Sequence, residues 1–335
     1  MESINLKEGK SNKIDNNTNS NEKLKKLKSK KYIFFAKFLT STLILVLLFY
    51  LEKIAVNLKN TNNKYKYFAC FCSKARGENK YANELISYYT KLGVEKFIFG
   101  DNNFNGTEKL ADVLQDYINR SIVDIYEIFG SDIGQAEFYQ DIYEKYKKQC
   151  NWFLFFDFDE YLDVHFDDNK SLVLKDFLTN ETFDKCEAIL FNWLIYTDND
   201  LIYYDNRTLL ERFPVPNYDV LDNIMVKTVV RGNLNKTIFN PQKPIHIPDK
   251  NVMICNSIGE IFTDYNLYSV RPPVYKYGYL KHFITKTAEE YVTKIYRGAN
   301  RNIPYKVADK VRLFFRFNNY SQEKFKYFKE KFNLD

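Results

Sequence analysis

Residues 152–162 read WFLFFDFDEYL, and this stretch decides the fold class. The apolar run 152–156 is typical of a strand that is buried on both faces, as in a parallel sheet covered by helices. It ends abruptly at Asp157, Asp159 and Glu160, which are three carboxylates within four positions. Ligands of open α/β sheets gather beyond the carboxyl ends of the strands. The sequence therefore predicts an acidic ligand site at the end of this strand.

Carboxylates this close together would be costly to bury without compensation. A divalent cation would relieve their repulsion, because hard oxygen ligands suit Mg²⁺ and Mn²⁺ and a diphosphate can supply the remaining ligands. The spacing of Asp157 and Asp159 is therefore that of a candidate DxD motif. The alternative is an exposed acidic turn that holds no ligand.

Alternating strand and helix patterns continue on both sides of this segment. The predicted strands are residues 67–72, 94–100, 122–128, 188–196, 227–231 and 277–283, and the predicted helices are 81–92, 106–119, 132–149, 173–178 and one that starts near Thr287. Thr287 and Glu290 have the spacing of a capping box. Strand, helix and strand in succession imply parallel pairing. We therefore expect an α/β domain with a mixed, mostly parallel sheet flanked by helices.

An apolar run near the N-terminus predicts one transmembrane helix. Residues 32–51 read YIFFAKFLTSTLILVLLFYL and contain a single charge, Lys37. About 20 residues are long enough to cross a hydrocarbon core of about 30 Å. Lysines crowd the N-terminal flank of the run, which predicts a cytoplasmic N-terminus and a large domain on the far side of the membrane. We expect a single-pass type II membrane protein, in a Golgi or other secretory-pathway membrane if the cell is eukaryotic.

The expected organisation is a disordered Lys/Asn-rich cytoplasmic tail (1–31), a signal anchor (32–51), a polar stem (52–65) and one α/β domain (66–335). The net charge is +6, but the first 31 residues hold nine lysines against four acidic residues. The rest of the chain is therefore close to neutral, and we expect no nucleic-acid partner.

Cysteine spacing gives no paired clusters of the kind that bind zinc. We expect the cysteines to be small buried residues, with one disulfide left open if the domain lies in an oxidising lumen. They are Cys70, Cys72, Cys150, Cys186 and Cys255.

A resemblance to a known family rests on several weak motifs in one order. The segments are NELISYYTKLGVEKFIFGDNN, WFLFFDFDEYL, FNWLIYTDND, LLERF, KTVVRG and YLKHFITKTAEEYVTKIYRG. In this order they resemble glycosyltransferase family 92 and the related family 2-like bacterial glycosyltransferases, over roughly residues 66–300. The resemblance implies a GT-A fold, the nucleotide-diphospho-sugar transferase fold. It also implies metal-dependent and inverting transfer of a hexose such as galactose from a UDP-sugar to a glycan or glycoconjugate.

The same resemblance implies roles for acidic residues on the donor side. Asp157 and Asp159 match the DxD positions that bind Mn²⁺ or Mg²⁺ and the diphosphate, and Asp101, at the end of its strand, is placed to meet the base or ribose. Glu84 falls where such enzymes carry an acidic residue, although a surface carboxylate on a helix is an equally good interpretation.

Two carboxylates are candidates for the catalytic base. The loop TDND at 197–200 departs from the expected pattern, in which a glycine occupies the position of Thr197, but it retains Asp198. Asp198 follows a strand and could face the acceptor, where an inverting transfer needs a carboxylate to accept the hydroxyl proton. Glu211 of the LLERF segment is the rival.

Basic residues are further candidates for the donor site. His246 and His282 are each a possible extra metal ligand, although a lone histidine is more often structural. Lys227, Arg231 and Arg212 could neutralise the departing diphosphate, or could be solvated surface residues.

Two other classes of function remain open. One is a nucleotidyl- or phosphotransferase that uses a DxD pair, although no phosphate-cradling turn precedes the acidic residues. The other is a catalytically inactive, membrane-tethered sugar-binding protein, which the altered TDND loop leaves possible.

Overall fold

The computed structural model describes residues 30, 40, 42–51, 65–104, 106–129, 134–166, 170, 172–234, 252–262, 269–298 and 305–334. The chain divides into two units, residues 1–63 and 64–335. In the first unit, residues 42–51 are helical and their large apolar side chains are exposed. In the described part of the chain, no helix has both the length and the apolar character needed to cross a membrane. Residues 32–39 and 41 of the expected anchor, and 52–64 of the expected stem, lie outside the described residues.

The second unit alternates strands and helices from its start. The strands are β1 (Tyr67–Ala75), β2 (Lys96–Asp101), β3 (Val123–Glu127), β4 (Cys150–Phe155), β5 (Glu160–Val164), β6 (Ala188–Ile195), β7 (Val226–Arg231), β8 (Ile254–Asn256), β9 (Ile261–Phe262) and β10 (Gly278–His282). The helices are α1 (Asn79–Leu92), α2 (Leu110–Asn119), α3 (Gln135–Tyr146), α4 (Leu174–Leu178), α5 (Leu209–Arg212), α6 (Ala288–Arg297), α7 (Val307–Phe317) and α8 (Gln322–Phe332).

These strands form one mixed sheet in the order β3-β2-β1-β4-β7-β6-β10-β5, with β8 beside β6 and β9 beside β8. The strands β3, β2, β1 and β4 are all parallel to one another. β7 is antiparallel to both β4 and β6, while β6 is parallel to β8 and β10. The expectation of an α/β domain with a mostly parallel sheet is confirmed. The hydrophobic patterns of the helices and strands were sufficient to predict the α/β class, because each βαβ unit can be recognised from its own residues.

Helices cover both faces of the sheet. Successive residues of a strand point to opposite faces, so Phe71 of β1 belongs to one core, with Leu85 of α1 and Leu114 of α2. The second core, on the other face, includes Phe153 of β4 and Phe138 of α3. The sheet is therefore buried between two helical layers, which is why its central strands are almost continuously apolar.

One glycine lies where α3 packs closely on β2. A Cβ atom on Gly100 of β2 would lie 2.7 Å from Cδ1 of Ile128 and 2.8 Å from Cζ of Phe138. A side chain at residue 100 would therefore require Ile128 and Phe138 to shift.

The three C-terminal helices pack against each other through aromatic side chains. Tyr291 of α6, Phe314 of α7 and Phe328 of α8 form the centre of a separate apolar cluster, with the Phe314 and Phe328 rings 4.8 Å apart. Thr287 and Glu290 form the capping box expected at the start of α6, which is confirmed. The capping box fixes the residue at which α6 begins. The starting residue in turn sets which later side chains of the helix face the sheet.

Cysteine pairing differs from the expectation. Cys70 bonds to Cys150 and Cys186 bonds to Cys255, while Cys72 is a buried free thiol. All five cysteines are buried, as expected, but four of them are paired, so there are two disulfides where the sequence left one open. The sheet brings the paired Cα atoms to 5.9 Å and 5.7 Å, a separation that suits a disulfide and that sequence spacing does not show.

Candidate functional site

The acidic turn lies where the sequence predicted it, between β4 and β5 at the carboxyl edge of the parallel strands. β7 runs in the opposite direction, so its first residues lie at this same edge, and Thr228 pairs with Phe155. β10 ends here at His282, which pairs with Glu160. Side chains from at least four strands therefore meet around residues 157–160.

Asp157 is held by a buried lysine. Its Oδ2 atom lies 2.7 Å from Nζ of Lys227, and its Oδ1 accepts a hydrogen bond of 2.9 Å from Gln135. The Asp157 side chain is 37% exposed whereas that of Lys227 is 2% exposed. Lys227 therefore lies behind the carboxylate, and Asp157 faces the solvent.

Glu160 also contacts Asp157 and Lys227. Its Oε2 accepts the backbone N–H of Asp157 at 2.8 Å and lies 3.3 Å from Nζ of Lys227. Burial raises the pKa of Glu160 to about 7, while the ammonium of Lys227 opposes that shift. Burial would lower the pKa of Lys227, but Asp157 and Glu160 raise it above its usual range. One lysine is thus shared between two carboxyl groups.

Asp159 lies among several cations. Its Oδ2 is 3.4 Å from Nζ of Lys294 and 3.7 Å from Nζ of Lys286. Glu78 continues the network, at 3.5 Å from Lys286 and 2.9 Å from Nη1 of Arg297. We call these five residues the Asp159 cluster. Burial would raise the pKa of Asp159, but Lys294, Lys286 and His282 together hold it well below its usual range, so the carboxylate is ionised.

Helix α6 and the residues before it position the cations of the Asp159 cluster. Lys294 and Arg297 are three positions apart on α6 and so lie on one face. Lys286 has φ of 56°, in the left-handed region that non-glycine residues seldom adopt. Strained backbone of this kind is concentrated at functional sites.

His282 lies beside Asp159, with its Nε2 atom 3.6 Å from Oδ1. Its ring is 4.3 Å from that of Trp193. Nδ1 of His282 and Nε1 of Trp193 are buried and have no hydrogen-bond partner among the described residues. Buried polar atoms without partners are rare, and they favour a water or ligand atom at that point.

The donor set does not suit a divalent metal. Each carboxylate of the DxD motif already has an ammonium partner, Lys227 for Asp157 and the lysines of the Asp159 cluster for Asp159. A dication beside these groups would be repelled by their fixed positive charges. In the residues that the structure describes, no group of three or more His, Cys, Asp or Glu side chains is arranged to hold a metal. His246 lies outside the described residues.

Two other predicted residues have local partners. Asp101 accepts backbone N–H groups from Asn103 at 2.9 Å and from Leu110, the first residue of α2, at 2.8 Å. Glu84 accepts the backbone N–H of Leu209 at the start of α5. Both carboxylates thus cap helix N-termini. Asp101 does so at the carboxyl edge of the parallel strands.

Arg231 is not brought to this site. It is at the far end of β7, beside Trp152 near the start of β4, and its Nε donates to the carbonyl oxygen of Cys186 at 2.7 Å. Because β7 is antiparallel to β4, its first residues and with them Lys227 lie at the acidic turn, while Arg231 lies at the other end of the strand. The sequence placed both residues on one strand but did not show its direction.

The two base candidates also have partners. Asp198 is buried, and its Oδ2 lies 2.9 Å from Nζ of Lys324 on α8. Burial raises the pKa of Asp198, although Lys324 opposes this shift. Glu211 accepts both the N–H and the hydroxyl of Thr208 in a capping box at α5. The catalytic role of either residue stays a prediction.

Arg212 lies in a buried network with Glu290. Its Nη1 is 2.7 Å from Oε2 of Glu290, and the Tyr81 hydroxyl donates to the other oxygen. Burial would raise the pKa of Glu290, but the hydrogen bonds from Arg212 and Tyr81 lower it to about 2. Arg212 is therefore occupied in fixing the start of α6, and Glu290 both caps this helix and binds Arg212.

This network predicts a pH dependence. The folded-state pKa of about 2 lies below the unfolded value of about 4.3, so the stabilisation is complete above pH 4.3 and is lost as pH falls toward 2. A difference of about two pKa units corresponds to roughly 3 kcal/mol. Glu290→Gln should therefore be less stable than the wild type at pH 7, and the gap should narrow below about pH 4.3. Urea unfolding across this pH range measures it, with the exposed Glu323→Gln as control. A gap that is constant with pH would contradict the assignment.

Sequence reasoning missed four residues of the site: Glu78, Lys286, Lys294 and Arg297. Three of them fall in the segment YLKHFITKTAEEYVTKIYRG, where the capping box at Thr287 sets the phase of α6. Given that phase, the i, i+3 spacing of Lys294 and Arg297 indicates one basic face. What the spacing does not indicate is that this face lies against Asp159.

Comparisons with known proteins give little further information. No protein-family model matches the chain, and no curated protein matches it. The crystal structure of TarS from S. aureus, a glycosyltransferase, is similar with a TM-score of 0.26 and 16% sequence identity. The similarity covers 39% of this chain and 21% of the TarS chain. A similarity of this extent carries no argument about fold or function.

Proposed function

We propose that this chain is a glycosyltransferase that moves a hexose from a nucleotide sugar to a glycan or glycoconjugate acceptor. The observation that carries the proposal is the carboxyl edge of the sheet, where the acidic turn 157–160 lies among the cations of the Asp159 cluster and Lys227. A diphosphate needs such a concentration of positive charge, and α/β sheets bind ligands at this edge.

The reaction asks two things of the site. The bond between the sugar carbon and the diphosphate oxygen breaks, its electrons stay on the diphosphate, and cations must stabilise that charge. The acceptor oxygen forms the new bond to the sugar carbon, and its proton passes to a base. Asp198 and Glu211 stay the predicted bases, and Asp157 faces the solvent in a position to meet a substrate.

Finer features of the proposal come from the sequence resemblance. They are a GT-A fold, membership of glycosyltransferase family 92, inversion, and UDP-galactose or another UDP-hexose as donor. The resemblance also implies that Mn²⁺ or Mg²⁺ would neutralise the diphosphate, a requirement that the ammonium partners of Asp157 and Asp159 do not favour.

We further propose that the domain lies in an oxidising compartment, behind a single-pass type II anchor at residues 32–51. The two disulfides support this, because disulfides persist in secretory and extracellular compartments and are rare in the cytosol. The lysines that precede the apolar run support the orientation.

Donor binding tests the function. We expect the purified full chain to bind one sugar nucleotide of a panel (UDP-galactose, UDP-glucose, UDP-N-acetylglucosamine, GDP-mannose) in calorimetry. We also expect it to hydrolyse the bound sugar nucleotide slowly and to release the nucleoside diphosphate. Each measurement is made with Mn²⁺ and with EDTA. ATP and CTP serve as controls for a nucleotidyl- or phosphotransferase.

The alternatives give different results in the same assay. An inactive sugar-binding protein would bind a free sugar or a glycan without releasing nucleoside diphosphate from any donor. A nucleotidyltransferase would consume ATP or CTP and release pyrophosphate. If no sugar nucleotide binds under either metal condition, the glycosyltransferase proposal is wrong.

A further inference from the structure

We infer that the Asp159 cluster neutralises the donor diphosphate with the protein's own ammonium and guanidinium groups, in place of the divalent metal that the resemblance implies. The inference rests on the proposed function and specifies how its donor is bound. It predicts a transferase whose donor binding does not need metal.

The first support is that Asp157 and Asp159 each already have ammonium partners on one carboxylate oxygen. Nζ of Lys227 lies 2.7 Å from one carboxylate oxygen of Asp157, and Gln135 donates to the other. Lys286 and Lys294 lie within 3.7 Å of one oxygen of Asp159. A divalent cation that bound either carboxylate would have to displace a lysine ammonium group or lie beside it, where the two positive charges repel.

The second support is the balance of charge. The Asp159 cluster holds two carboxylates, Asp159 and Glu78, and three cations, Lys286, Lys294 and Arg297. One positive charge is therefore in excess, before His282 is considered. On the other side of the turn, Lys227 is shared between Asp157 and Glu160. The excess positive charge thus lies on the side of α6, and an anion is drawn there.

The third support is access. The side chains of Lys294 and Arg297 are 27% and 20% exposed, whereas that of Lys286 is 5% exposed. Lys294 and Arg297 are therefore the groups that a diphosphate can reach, while Lys286 holds Asp159 and Glu78 in place.

A small pocket lies beside Lys294. It is lined by Ile284, Tyr291, Lys294, Tyr305, Lys310 and Leu313, among others. Lys294 is common to the pocket and to the Asp159 cluster. Tyr305 in its wall is half-buried and can pack against a sugar ring, since its ring is apolar and its hydroxyl polar. A donor with its diphosphate on Lys294 and Arg297 could therefore place adjoining atoms in this pocket.

The cations would also act in the reaction. As the bond between the sugar carbon and the diphosphate oxygen breaks, its electron pair stays on that oxygen, and nothing is oxidised or reduced. Lys294 and Arg297 are fixed by ion pairs before the donor arrives, so they need little reorganisation to stabilise the new negative charge.

Calorimetry with UDP tests the inference on the full chain. We expect the affinity in EDTA to match that in Mn²⁺ within about threefold and to fall with added salt, as for any exposed ionic contact. Lys294→Ala and Arg297→Ala should each weaken binding by about tenfold or more, since each removes a charge-assisted contact. Lys294→Arg should restore most of the affinity. Lys326→Ala, an exposed lysine of α8, is the control that should leave affinity unchanged.

Asp159→Asn separates the two kinds of site in the same experiment. If Asp159 binds a metal, the variant loses UDP binding. If Asp159 only holds lysines, the variant binds UDP in EDTA as well as the wild type or more tightly, because a negative charge near the diphosphate has been removed. Thermal unfolding of each variant identifies loss of folding. Lys294→Met is a second substitution that removes the charge and keeps the length of the stem.

Binding that vanishes in EDTA, returns with Mn²⁺ and is insensitive to Lys294 and Arg297 overturns the inference while the proposed function stands. Absence of binding by every sugar nucleotide and by UDP, with or without metal, instead removes the proposed function and this inference with it.

Discussion

Asp198→Asn should lower the free energy of unfolding by about 3–5 kcal/mol, the usual cost of removing one partner of a buried ion pair. The Asp198 and Lys324 side chains are each 1% exposed and lie 2.9 Å apart. Without the carboxylate, the Lys324 ammonium would stay buried with Asp200 as its remaining described acidic partner. Because Lys324 belongs to α8, the substitution should also loosen this helix from the loop at 197–200.

Urea unfolding of three variants tests this account. Asp198→Asn together with Lys324→Met should recover much of the lost stability, since replacing both partners of a buried pair by neutral groups is often close to neutral. Asp200→Asn should have a small effect, because its side chain is 68% exposed. If Asp198→Asn is instead as stable as the wild type and lowers turnover by about 10²-fold, its main role is that of the catalytic base.

Loss of the Cys186–Cys255 disulfide should lower stability by about 4 kcal/mol in the chain-entropy model, because the bond closes a loop of 69 residues in sequence. We expect Cys186→Ala with Cys255→Ala to show this loss in thermal unfolding. The same bond ties β8 to the segment before β6, so the effect should appear first as local opening of β8.

Cys72→Ala is the matched control, since it removes a buried thiol without breaking a bridge. Its effect should be much smaller than that of the double replacement. Thiol titration of the denatured, unreduced chain should give one free thiol. Five free thiols in protein taken from its native compartment would contradict both the pairing and the proposal of an oxidising compartment. A double replacement as stable as the wild type would contradict the predicted stabilisation.

Much of the sheet could be predicted from sequence because its signals are local. The buried run 152–156 and the helix pattern 81–92 needed only a window of a few residues, and both matched β4 and α1 to within a few positions. β5 was missed because its residues directly follow the acidic turn, and the acidic residues masked the strand pattern. β8 and β9 are three and two residues long, too short to carry a period.

The site was predictable only in part. The sequence identified the acidic turn, because charged residues directly after a fully apolar strand are a strong local anomaly. It grouped Lys227 with Arg231 although these lie toward opposite ends of β7, and it did not connect Lys294 with Asp159, which is 135 positions away. Partners at such separations are selected by sheet order and helix docking, and a single sequence carries no record of either.

The sequence by itself determined the α/β class, the acidic turn at residues 157–160 and the start of α6, because hydrophobic period, charge discontinuity and capping chemistry act over a few residues. Only the tertiary structure decided which cations neutralise the turn. It placed Lys227 through the antiparallel direction of β7, and Lys294 and Arg297 through the docking of α6. Electrostatic interactions depend on distance in space and on burial, so the character of the site, metal-binding or cationic, is decided by the packed chain and not by the DxD spacing.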